Sequence, residues 1–291
     1  MNRTIRLSLW ALGIFVLFSG LSPAQESFIN NSFKLRFEAA GIVSLQKTRD
    51  ADAVEYIQPG ETLGHIVARY KMLDNPKQEL LTRKLASGLT VKQGAEGGGS
   101  QHLIVYNGAG WYDYFADLEF TERFRLEGDS LYWTLHLRNL THKPIELGDF
   151  VLPLSFRDAS GSDAAKGKTE NPPLVKRGEV RGPGFYLTWS RPDGKGPVLV
   201  MTPLIKCPLF EPAQTERNFR PVEPEYQDAA GLYLHSAWAA AGLPKAGEGR
   251  HTSWKLTPKF TPGDELTYGF KFRWANNEAD VKRVLAEEGI K

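Results

Sequence analysis

The chain holds a single cysteine, Cys207, among 291 residues, so no disulfide can form within it. Cys207 sits in "LIKCPLF", an apolar context that suits an inert buried thiol, and no zinc-ligand spacing surrounds it. Charge of one sign is also missing. The formal net charge is +2, and no lysine or arginine run points to nucleic acid or an anionic membrane. No HExxH, GxSxG or calcium-loop pattern occurs, so the common metalloprotease, serine-hydrolase and EF-hand chemistries have no carrier, and no cofactor is expected. Two glycine-rich stretches, "GAEGGGS" (94–100) and "RPDGKGP" (191–197), lack phosphate-loop spacing and a following helix. The first reads as a flexible loop. The second reads as a β-turn set by Pro192 and Gly194. There is no internal repeat and no domain-sized linker.

Long hydrophobic runs are scarce as well. The longest, Leu7 to Leu17, is too short to span a bilayer, which takes roughly 20 residues. It follows Arg3 and Arg6 and precedes Ser22 and Ala24, a small-x-small site, so residues 1–24 are predicted to be a secretory signal cut after Ala24. The mature chain is then periplasmic or extracellular, with no membrane span after cleavage. Lacking disulfides, it depends on an apolar core that a chain of this length can build.

What is present is period-two alternation. In "DLEFTERFRL" (117–126) Leu118, Phe120, Glu122, Phe124 and Leu126 share one face, opposite polar residues. In "LYWTLHLRN" (131–139) Leu131, Trp133, Leu135 and Leu137 oppose Tyr132, Thr134, His136 and Arg138. With "EGDS" (127–130) between them, the two runs predict an antiparallel hairpin with one buried face. "TSWKLTPKF" (252–260), the turn "TPGD" (261–264) and "LTYGFKFRW" (266–274) predict another. Further strands are predicted over 32–37, 41–47, 64–70, 102–106, 145–156, 184–191, 197–203 and 231–238. The segment 157–173 reads as a long polar excursion at the rim. Only 76–86 ("PKQELLTRKLA") and the C-terminal "NEADVKRVLAEEGI" carry helical spacing, the latter stopped by Gly289. The absence of βα alternation predicts an all-β fold. The expectation is a large antiparallel two-sheet β-supersandwich over residues 25–278 and a short helix over 279–291.

Six stretches in order, "GIVSLQKTRDAD", "LGHIVARY", "LYWTLHLRNLTHKPIELGDFVLPLSF", "YLTWSRPDGKGPVLVMTP", "LYLHSAW" and "YGFKFRWANNEADVKRVLAEEG", resemble a known module. It is the N-terminal β-sandwich of a family of large secreted bacterial proteins with glycosidase-like architecture. The chain is also similar to the galactose mutarotase-like supersandwich class, over about residues 30 to 290. That class precedes helical toroid domains in several polysaccharide lyases, phosphorylases and hydrolases. The resemblance implies acid/base residues in a following helical barrel or at its border. Here the chain ends at Lys291, so the expectation is a sandwich without that barrel.

Candidate site residues fall into two groups. "NGAGWYDYFADLEF" (107–120) places Trp111, Tyr112, Tyr114 and Phe115 at a turn, either as a platform for sugar rings or as a cap on the core. Trp238 and Arg191 are further substrate-binding candidates. A mutarotase-type reaction, implied by the resemblance, needs a proton donor and acceptor around the ring oxygen. His65, His102, His136 and His235 are candidates, each also readable as an ordinary strand histidine. Glu122 is the one charged residue on an apolar strand face, so it either meets an arginine or lines a cleft. The favoured expectation is an exported glycan-binding or accessory module without its own catalysis. The alternatives are a carbohydrate-active enzyme using a His/Glu pair among Glu122, His136 and His235 on the concave sheet, or an interaction domain for a separate catalytic chain. No metal and no nucleic-acid partner are expected.

Overall fold

The computed structural model describes residues 26–38, 41–74, 79–83, 90–96, 99–106, 117–157, 174–179, 186–204, 219–221, 233–239 and 259–290. Seventeen strands follow in chain order among them. The first seven are β1 (Glu26–Ile29), β2 (Phe33–Glu38), β3 (Gly41–Lys47), β4 (Val67–Met72), β5 (Glu79–Arg83), β6 (Thr90–Glu96) and β7 (Gly99–Tyr106). Next come β8 (Leu118–Glu127), β9 (Ser130–Asn139), β10 (Ile145–Leu154), β11 (Val175–Glu179), β12 (Tyr186–Ser190) and β13 (Val198–Pro203). The last are β14 (Phe219–Pro221), β15 (Tyr233–Ala239), β16 (Lys259–Phe260) and β17 (Glu265–Ala275), before the helix α1 (Val281–Glu287).

The fold is all-β. The predicted two sheets are there, an eight-stranded one in the order β11-β12-β13-β17-β9-β8-β7-β6 and a six-stranded one in the order β14-β15-β10-β4-β5 with β16 on β10. A third, of three strands, is built by β1 to β3. All pairs are antiparallel. Residues from the three sheets share one buried core. Phe37 of β2 meets Phe124 of β8 at 5.6 Å between centroids, and Phe33 meets Trp274 of β17 at 5.5 Å. From the six-stranded sheet Tyr70 hydrogen-bonds Asp117 at 2.8 Å, and Ile145 and Leu152 are fully buried. Burying each such large apolar side chain stabilises the fold by roughly 1.5–3 kcal/mol.

The alternation of β8 and β9 is as the sequence predicts. Leu118, Phe120, Glu122, Phe124 and Leu126 point inward, with Leu131, Trp133, Leu135 and Leu137 opposite them. The strand β13 differs, because both of its faces are covered. Leu199 and Met201 enter the main core, whereas Val198 and Val200 pack with Ala275 against Val284 and Leu285 of α1 on the outer side. The helix is therefore a lid over one end of the outer face of the eight-stranded sheet.

Two sequence expectations need correction. The helix predicted near 76–86 contains strand β5, paired from Val67↔Arg83 to Lys71↔Glu79 along the open edge of β4. The apolar Leu80 and Leu81 fit either period, and the unpaired edge of β4 decides between them. "GAEGGGS" is not a loop throughout: Gly94↔Gln101, Ala95↔Ser100 and Glu96↔Gly99 close the hairpin between β6 and β7. The signal segment, the aromatic turn at 107–116, Cys207 and all of 158–173 lie outside the described residues.

Candidate functional site

The outer face of the eight-stranded sheet is where polar side chains gather. The strand registers align them into rows across β8, β9 and β17. One row is Glu119, Arg138 and Glu265; the next is Thr121, His136 and Thr267. Then come Arg123, Thr134 and Gly269, and after them Arg125, Tyr132 and Lys271. Directly opposed residues on one face of antiparallel strands are the nearest cross-strand neighbours, so each row acts as a unit. Successive rows on a face lie two residues, roughly 7 Å, apart.

The register sets the row of Thr134 and Gly269 between larger side chains, a shallow trough by residue size alone. Its floor is Thr134, the same size as Thr121 and Thr267, and Gly269, against which the Leu204 side chain packs. One wall is His136 with Thr267, and the other is Tyr132 with the cations beside it. The Arg125 guanidinium carbon lies 4.9 Å from the Tyr132 ring centre and the Lys271 ammonium 5.6 Å from it. A Cβ at Gly269 would come within 2.7 Å of the Trp133 carbonyl oxygen and 2.8 Å of Leu204 Cδ1, so the backbone and Leu204 have closed into the space a side chain would take. Arg123 stands at the other end of the floor, exposed.

His136 is held between two partners from β17. Its Nδ1 lies 3.1 Å from Thr267 Oγ1, and its Nε2 3.4 Å from Glu265 Oε2. The side chains of His136 and Glu265 are 35% and 52% exposed. They form a solvent-facing histidine–carboxylate pair, the composition that general acid–base chemistry uses. Arg138 Nε adds a longer contact of 3.7 Å to the other oxygen of Glu265.

The remaining candidates lie elsewhere. Glu122 is fully buried on the inner face and accepts a hydrogen bond of 2.6 Å from the Trp133 indole N–H. The sequence expectation was an arginine or a cleft; the Trp133 indole is one donor to this carboxylate. Glu122 lies across from Leu135 whereas Thr121 lies across from His136, so Glu122 and His136 occupy opposite faces and do not form a pair. His235 belongs to β15 in the six-stranded sheet, across from Leu152, and Trp238 lies across from Phe150; their side chains lie outside the described set, as do Trp111, Tyr112 and Tyr114 altogether. His65 is partly buried in the segment before β4, and His102 lies across from Phe124.

Arg191 opens the turn predicted at 191–197, where Gly194 donates to the Arg191 carbonyl at 3.0 Å. Its guanidinium is 10% exposed and reaches both oxygens of Asp50 at 2.6 and 2.7 Å and also Asp52. Gly196 (φ +80°) allows this: a Cβ there would sit 2.7 Å from Arg191 Nη1. Burial pushes the Asp50 carboxyl up, but hydrogen bonds and charge from Arg191 together with backbone donors outweigh it and leave Asp50 below its ordinary value. Arg191 thus staples the turn to the loop after β3.

Sequence reading found His136 with Thr134 and Arg138 on one face but missed Glu265, Thr267 and Lys271. Their alternation along β17 was visible. Their register against β9, more than a hundred residues away, was not. Among the described residues no group of three or more His, Cys, Asp or Glu side chains could hold a metal ion, and no helix is long and apolar enough to cross a membrane.

No protein-family model matches the chain, and no curated protein does. Among solved structures it is similar to a polysaccharide lyase, with a TM-score of 0.56 and 13% identity over 90% of this chain and 34% of that one. The chain thus spans about a third of the lyase. It is also similar to a galactose mutarotase-related enzyme from Lactobacillus acidophilus, with a TM-score of 0.49 and 10% identity over 86% of this chain and 97% of the other. An α-galactosidase from Geobacillus stearothermophilus aligns with a TM-score of 0.43 and 10% identity, over 87% of this chain and 41% of that one. At such identities the likeness is one of fold. With the topology above, the lyase match defines the class: an antiparallel β-sandwich with a short C-terminal helix.

Proposed function

We propose that this chain is an exported carbohydrate-binding β-sandwich, and that its ligand lies along the trough on the outer face of the eight-stranded sheet. The trough carries the reading. Its floor is small, and the threonine hydroxyls, the His136 ring and the flanking cations offer donors and acceptors suited to sugar hydroxyls. The shared fold with a protein named as a polysaccharide lyase supports the ligand class. Export rests on the signal pattern of residues 1–24.

A second reading has its own observation. The pair His136–Glu265 is open to solvent, and an enzyme could use it to pass a proton to or from a bound sugar. Glycan-panel binding of wild type, His136→Ala and Thr267→Ala, with a reducing-sugar assay alongside, separates the two readings. Binding lost in His136→Ala without turnover by wild type supports the binding module, and turnover lost in Glu265→Gln supports the enzyme. Binding that survives both His136→Ala and Thr267→Ala removes the trough. It would return the proposal to the aromatic candidates, tested by Trp111→Ala, Tyr112→Ala, Tyr114→Ala and Trp238→Ala.

A further inference from the structure

We propose that the ligand of the trough is an anionic glycan, and that Arg123 reads its carboxylate or sulfate group; this rests on the trough being a sugar site. The observation is a difference among the cations of the outer face. Arg125 is paired with Glu127 at 2.8 Å, and Arg138 contacts Glu265 at 3.7 Å. Lys271 is paired with Glu288 at 2.8 Å, and Arg273 is held by Asp129 at 2.9 Å, Glu287 at 2.8 Å and Glu288 at 3.0 Å. Among the described residues, the Arg123 side chain alone of the cations of β8, β9 and β17 makes no hydrogen bond or ion pair, and it is exposed.

Its place in the register adds to this. Arg123 lies in the same row as Thr134 and Gly269, on the line of the trough floor, rather than in either wall. A pyranose lying across Thr134 would direct a ring substituent toward it. A guanidinium forms two parallel hydrogen bonds with a carboxylate or a sulfate, a match a neutral hydroxyl cannot make. The neighbouring Arg125 is occupied by Glu127 and by the Tyr132 ring, so it shapes the wall and leaves the anion to Arg123.

Affinity gel electrophoresis tests this with polygalacturonate (carboxylate), dextran sulfate (sulfate) and a neutral set of dextran, galactan and mannan. We expect wild type to be retarded by at least one polyanion, the stronger of the two naming the group. Arg123→Gln should weaken that binding about tenfold, the scale of one charge-assisted pair. Arg123→Lys, which keeps charge but loses the fork, should fall between. Arg36→Gln, an exposed arginine of the three-stranded sheet, is the charge-matched control. Equal binding by Arg123→Gln and wild type overturns the proposal, and so does an equal loss in Arg36→Gln. A wild type that binds only the neutral set, and loses that binding in His136→Ala, overturns the anionic ligand and leaves the sugar site standing. A wild type that binds none of the probes overturns the anionic ligand and counts against the sugar site too.

Discussion

The two faces of β8 and β9 are made by the same residues taken alternately, yet they obey different rules. On the inner face every polar atom must be satisfied within the protein, because no water reaches it. Glu122 therefore sits fully buried against the Trp133 indole, whose ring packs on Phe124 and Phe270. On the outer face the same strands carry Thr121, Arg123, Arg125, Thr134, His136 and Arg138, and Arg125, His136 and Arg138 pair with the solvent-facing carboxylates of Glu127 and Glu265. Substitutions inside should cost stability, and those outside should cost binding.

That contrast can be broken in order of expected effect. We predict that Trp133→Ala is the most damaging, at about 4 kcal/mol or more by urea denaturation, since it empties a large core volume and strips Glu122 of a donor. A loss under 1 kcal/mol would show that the inner face is not packed as described. Arg191→Ala should cost about 3 kcal/mol by leaving Asp50 buried without its guanidinium partner. It should also change the pH profile. Asp50 has its carboxyl lowered in the folded state, so its contribution is complete above the ordinary carboxylate range, near pH 3.9 for a free aspartate, and is lost as pH falls through the lowered folded value. Wild type should thus lose this part of its stability only in acid, and Arg191→Ala should lack that part at every pH. A variant with an unaltered acid limb would remove Asp50 as its source.

Gly269→Ala lies between the two faces. Its new methyl would meet the Trp133 carbonyl oxygen at 2.7 Å, so a shift of β17 costing about 2 kcal/mol is expected, read by thermal melting. A neutral result would mean that β17 gives way freely, and the trough floor with it. His136→Ala should be the mildest, within about 0.5 kcal/mol in stability, because its ring is partly exposed and its partners are solvated. A large stability loss there would show that the outer face, too, is structural.

The legible parts of this fold were the local ones. The hairpin of β8 and β9 came from alternation in "LEFTERF" and "LYWTLHL", and the terminal helix from Val281, Val284 and Leu285 followed by Gly289 at φ +76°. The helix expected at 76–86 failed because Leu80 and Leu81 suit two periods, and a partner strand rather than the segment itself chose the extended form. At the site, His136 was legible as a polar strand residue. Its partner was not. Glu265 and Thr267 reach it only through the pairing of β17 with β9, which closes a loop of more than a hundred residues and leaves no local trace.

By itself the sequence determined that the chain is all-β, because side chains alternate across a strand whatever that strand pairs with. It also determined that Glu122 would be a charged group in an apolar face. Only the tertiary structure decided what each polar residue does. The Trp133 indole N–H donates to Glu122, the loop after β3 claims Arg191, and the register of three strands brings His136, Thr134 and Arg123 onto one outer face. Which strand neighbours which is a property of the whole sandwich, since the contacts that reward one register over another come from residues far apart in the chain.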